Sequence, residues 1–91
     1  MPVRLHAHAL ARIGERGATP EEVEATVAAG ERFPARFGRT GFRRNFAFGG
    51  DWRGRRYRTK QIEAFAVEED GGWLVITVLV KYFRGQRGAH R

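Results

Sequence analysis

Up to Gly30 the apolar residues recur at helical spacing, and beyond it they alternate with polar ones. Placed at about 100° per residue, His6, Ala9, Leu10 and Ile13 share one face of a helix from about Leu5 to Arg16, while His8, Arg12 and Glu15 share another. Gly17 can take the left-handed conformation that ends such a helix. Thr19-Pro20-Glu21-Glu22 opens a second one, with Thr19 as N-cap, Pro20 at the first position and Glu22 closing a capping box. Val23 and Val27 form its apolar stripe, and Gly30 stops it. β-Branched and aromatic residues then predict strands at about 31–37, 42–48, 55–67 and 73–83, with Phe42, Phe46 and Phe48 on one face of the second. In the third, alternation slips near Gln61, which predicts a bend or bulge. Glycine-rich links at 49–54 and 69–72 are of hairpin length, so consecutive strands pair antiparallel as a meander. Trp73–Val80 is apolar on both faces and reads as a central, covered strand. The expected fold is α+β: two N-terminal helices packed on one face of a four-stranded antiparallel meander sheet.

A chain of 91 residues and 10.3 kDa has material for one core, assigned to residues 1–83, with 84–91 expected to be a flexible basic tail. Its lack of cysteine excludes a disulfide scaffold and a thiolate nucleophile, and points to a reducing, cytoplasmic setting. Neither a membrane span nor a secretory signal is evident. The net charge of +7 changes the picture because it is unevenly placed. Between Arg32 and Lys60 ten Arg and Lys residues face one acid, Asp51, whereas residues 1–31 hold five Glu against three Arg. A solubilising charge would be spread more evenly; this one is suited to a polyanion.

Two groups of residues have side chains suited to phosphate chemistry. His8, Arg12 and Arg16 lie on successive turns of the first helix; an imidazole moves protons near neutral pH and a guanidinium grips a phosphate with a planar fork. A surface histidine beside arginines paired to Glu15, Glu21 or Glu22 is the plainer reading of the same spacing. In the second group, Arg53, Arg55, Arg56, Arg58 and Lys60 interleave with Trp52 and Tyr57, while Arg43 and Arg44 follow Phe42. Cations for phosphates beside rings for bases are what single-stranded RNA requires. A solvated basic strand with its aromatics turned inward would have the same pattern, and the patch would equally hold an acidic protein. Thr77 interrupts an apolar strand and shares parity with Trp73, Val75, Leu79 and Lys81, the last a candidate for a different phosphate. His6 on the apolar face and His90 in the tail leave no metal-ligand set, and no cofactor loop is present.

The His8-Ala9…Arg12…Arg16-Gly17 pattern, the Thr19-Pro20-Glu21-Glu22 helix onset and the ending Val75-Ile76-Thr77-Val78 resemble the family called domain of unknown function 4258. The resemblance implies a fold similar to the RelE-like and barnase-like ribonucleases, some of which are toxins held by acidic antitoxins. It carries over His8, Arg12, Arg16 and Thr77 as the polar motif positions; Lys81 and Tyr82 belong to an ending that is a less general feature of such chains, and in the nuclease reading Lys81 or Tyr82 assists while Thr77 orients. The expected function is then a metal-independent endoribonuclease, with His8 as general acid or base and the arginines stabilising phosphorane charge. The alternative is a non-catalytic module that binds nucleic acid or an acidic protein through the basic surface.

Overall fold

In the computed structural model, which describes residues 2–84, the chain begins with a strand. The order is β1 (Val3–Leu5), α1 (Ala7–Arg16), α2 (Pro20–Ala29), β2 (Glu31–Pro34), β3 (Thr40–Trp52), β4 (Arg55–Glu69) and β5 (Gly72–Phe83). The sheet has five strands in the order β1-β5-β4-β3-β2. β2 to β5 form the expected antiparallel meander, but β1 lies parallel to β5, pairing Val3, Arg4 and Leu5 with Trp73, Leu74 and Val75. The four-stranded, all-antiparallel expectation is therefore corrected to a five-stranded mixed sheet, and the helices do not precede the whole of it. Three residues are too few to show a period, so Val3–Leu5 has no strand signature; long-range backbone bonds from Trp73 N to Pro2 O (2.8 Å) and from His6 N to Val75 O (2.9 Å) hold it in the sheet.

This strand also displaces the start of α1. Leu5 belongs to β1, and the exposed His6 is the N-cap, its Nδ1 accepting from His8 N at 3.1 Å, rather than a packing residue. Ala9 and Ile13 are buried as expected, whereas Leu10 is exposed. α2 starts as its sequence dictates: Thr19 Oγ1 accepts from Glu22 N (3.1 Å) and Glu22 Oε1 accepts from Thr19 N (3.0 Å).

Both helices cover the same face of the sheet. Ala9, Ile13, Val23 and Val27 pack on Phe42, Ile62, Ala64, Ala66, Trp73, Val75 and Val78. β4, the middle strand, is the most enclosed, with every residue from Lys60 to Ala64 buried. Ile62, Val23, Val75 and Val78 are among the largest fully buried side chains, and each such burial contributes about 1.5–3 kcal/mol. The opposite face, which includes Phe65, Thr77, Leu79 and Lys81, is not covered by a helix, so β5, although it lies between β1 and β4, is not shielded on both sides as its composition predicts.

The expected irregularity near β4 lies in its neighbours. β3 places Phe48 and Gly49 against Arg58 alone, with Gly49 at φ 55°, and β5 inserts Ile76 between the partners of Phe65 and Ala66. The second bulge flips the face of β5: Trp73 and Val75 point into the core, while Thr77, paired with Phe65, points away from it. The parity expected to link Thr77 with Trp73 and Val75 is broken there.

Candidate nucleic-acid interface

β4 pairs with β5 as far as Thr59, so the tip of the β3–β4 hairpin is a two-stranded ribbon projecting past the end of the sheet. Its turn is Arg53-Gly54, with φ of 51° and 82°, the two positive values a two-residue type I′ hairpin requires. The ribbon rolls back over the end of α1. The Trp52 ring stacks on that of Tyr82 at 5.0 Å and 17°, and Tyr57 and Phe48 lie 5.5 and 5.3 Å from Tyr82. Below them Gly17 ends α1 at φ 82°; a Cβ there would come within 2.5 Å of the Tyr82 hydroxyl and 2.6 Å of Trp52, so only glycine fits the turn and the close approach.

Between ribbon, α1 and β5 lies a cleft of about 330 Å³ lined by Arg16, Trp52, Arg53, Leu79, Val80 and Tyr82. Arg16 Nη1 donates to Val78 O, and Tyr82 Oη donates to Arg16 O at 2.7 Å. Burial, and secondarily the charge of Glu22, push the Tyr82 pKa above its ordinary value, with Arg53 opposing. The phenol therefore holds its proton and is poorly suited to act as a base. Arg53 lies 5.2 Å from the Trp52 ring centroid, on a ring that Tyr82 already stacks against.

The basic residues singled out by sequence divide into two kinds. Arg53, Arg55, Arg56 and Arg58 are exposed on the ribbon. Arg56 bonds Gly49 O at 3.1 Å and lies 3.8 Å from Asp51, both side chains largely in solvent, while Arg55 and Arg58 have no partner among the described residues. The others serve the fold. Lys60 is buried, donating to Gly17 O (3.0 Å) and Glu22 Oε1 (2.9 Å). Arg43 bonds the buried Glu63 at 2.8 Å and Glu31 at 3.3 Å; the Glu63 hydrogen bond raises its pKa against the opposing effect of burial. Arg44 reaches Ala25 O at 3.4 Å and lies 5.1 Å from the Phe46 ring. Trp52 and Tyr57 are committed to the ring cluster instead of standing free for bases.

The six positions expected to act together are spread over both faces. Arg16 and Tyr82 share the cleft. His8 is exposed in the first turn of α1, eight residues from Arg16, which at about 1.5 Å per residue is roughly 12 Å along the axis. Arg12 lies between them, 3.7 Å from Glu15. Thr77 and Lys81 lie on the uncovered face, Thr77 beside Phe65 and Lys81 3.7 Å from Glu63. Sequence reasoning missed Leu79 and Val80 as lining of the cleft, and Phe48 as a neighbour of Tyr82; only the glycine-rich run at 49–54 hinted that the ribbon turns back. Among the described residues no three His, Asp or Glu gather as a metal-ligand set, and no helix is long and apolar enough to cross a membrane. The expected tail residues 85–91, with His90, lie outside the described part.

Comparison with family models, with curated proteins and with solved structures returns no match. None of the three bears on the resemblance to domain of unknown function 4258, which stays an expectation from short sequence motifs.

Proposed function

We propose that this chain binds nucleic acid, RNA being the class its sequence resemblance implies, by gripping the phosphate backbone with the arginines of the β3–β4 ribbon. The observation that carries this reading is the exposure of Arg53, Arg55, Arg56 and Arg58 on one projecting ribbon, where Asp51 is the only carboxylate. Guanidiniums at this density neutralise phosphates and release counterions. Arg16, lining the neighbouring cleft, extends the cationic surface onto the end of α1. The ring cluster holds the ribbon in shape, so recognition here is of backbone rather than bases. Binding is favoured over cleavage because the imidazole expected to move protons lies roughly 12 Å along α1 from Arg16 in the cleft, and the phenol within it commits its hydroxyl proton to Arg16 O.

The test is fluorescence anisotropy with a labelled oligouridylate over a salt series, alongside recovery of the RNA on a gel. Affinity is expected to fall steeply with salt and to be abolished by Arg55→Glu with Arg58→Glu, while the RNA is recovered intact and His8→Ala changes nothing. Binding that ignores both salt and the double charge reversal would overturn the reading. RNA cut by the natural chain and spared by His8→Ala would replace it with the nuclease.

A further inference from the structure

Three tight turns connect β2 to β5, and each has a residue and a following glycine at positive φ: Phe37 (61°) with Gly38 (70°), Arg53 (51°) with Gly54 (82°), and Asp70 (53°) with Gly71 (76°). A hairpin turn of this hand favours Asn, Asp or Gly at its first central position, because bulkier side chains crowd the backbone in the left-handed region. Asp70 obeys that rule. Phe37 breaks it, and the ring so placed does not enter the core, since Phe37 is 84% exposed. Neither local conformational preference nor burial accounts for an aromatic residue at that point.

The surroundings suggest what the ring meets. Phe37 borders a cleft of about 230 Å³ on the uncovered face of the sheet, lined also by Ala35, Arg36, Arg39, Phe65 and Thr77. The Arg39 guanidinium lies 5.9 Å from the Phe37 centroid, and residues 32–50 contain no acid. An exposed aromatic ring flanked by guanidiniums with no carboxylate nearby in the chain matches a nucleobase with its adjoining phosphates. Trp52 and Tyr57 are not available in this way, because their rings pack around Tyr82. We propose that Phe37 stacks a base of a single-stranded nucleic acid while Arg36 and Arg39 hold the phosphates beside it, an inference resting on the nucleic-acid reading above. β3 separates this turn from the Arg53 turn by twelve residue steps, at most about 40 Å at the usual strand rise and less across its bulge, so one bound strand would touch opposite ends of β3.

The experiment compares two labelled probes of about 16 nucleotides, the upper end of common single-strand site sizes: oligouridylate, and an abasic ribose-phosphate chain of equal length and charge. The natural chain is expected to bind the base-bearing probe about tenfold more tightly, the factor one base–aromatic stack supplies. Phe37→Gly, which suits the positive φ and leaves the fold intact, should reduce oligouridylate binding to the abasic level without altering abasic binding. Phe37→Trp should keep the preference. Equal affinity of the natural chain for both probes would overturn this inference and leave backbone binding standing. A Phe37→Gly protein that still prefers oligouridylate would also overturn it, since the bases would then be contacted elsewhere. Failure of both probes to bind would sink the inference together with the function it rests on.

Discussion

The Tyr82 hydroxyl donates a 2.7 Å hydrogen bond to the Arg16 carbonyl, tying the last strand to the last turn of the first helix across 66 residues of chain. On the same ring Trp52 stacks at 5.0 Å, so one tyrosine joins helix end, sheet and ribbon. Tyr82→Phe keeps the stack and removes the bond, and should lower stability by about 1 kcal/mol in denaturant unfolding at neutral pH. Oligouridylate affinity should be unchanged, because the ring still holds the ribbon.

The same residue predicts an alkaline limb. Burial, followed by the charge of Glu22, sets the folded pKa above the ordinary 10.0. The unfolded phenol therefore loses its proton at lower pH than the folded one. Its contribution is fully present below pH 10 and disappears as pH rises through the folded value. Stability measured from pH 8 upward should decline more steeply in the natural chain than in Tyr82→Phe; parallel curves would contradict this.

Lys60 is a buried cation with two partners, Gly17 O and Glu22 Oε1, and Glu22 Oε1 also accepts from Thr19 N at the start of α2. Lys60→Met fills the space but strands a carboxylate and a helix-terminal carbonyl. A loss of about 2 kcal/mol is expected, less than for a fully enclosed pair because Glu22 is partly in solvent. Chemical denaturation would show it, and the nucleic-acid salt slope should be unaffected.

Arg55 and Arg58 have no partner among the described residues, so replacing both by glutamine should leave the melting temperature within error. The logarithmic salt slope for a single strand should nonetheless drop by roughly 1.4, about 0.7 for each phosphate contact removed. A slope equal to that of the natural chain would mean the ribbon does not contact the strand.

Arg53 occupies the first central position of a type I′ turn, where asparagine is preferred. Arg53→Asn should relieve the backbone and raise stability by about 0.5 kcal/mol, since relief near 1 kcal/mol is partly offset by the lost contact with Trp52. Binding should weaken at the same time. A variant that gains stability without losing affinity would show that Arg53 is outside the interface.

Local signals in the sequence determined much of this molecule. Thr19, Pro20 and Glu22 fix the start of α2 because capping is a contact between neighbours in the chain. The glycines at 54 and 71 fix two hairpins, and a hairpin makes its strands antiparallel whatever surrounds them. The uneven charge, with ten cations between Arg32 and Lys60, is likewise a property of the sequence alone. Tertiary structure decided the rest, because it depends on partners far away along the chain. β1 is held by its bonds to β5 and by the packing of Val3 and Leu5 on the core, and the Ile76 bulge sends Thr77 to the face opposite Val75. Packing also sorted the cations: Lys60 and Arg43 found carboxylates and were drawn into the fold, while the arginines at 53, 55, 56 and 58 remained on a ribbon whose own aromatic rings turn inward.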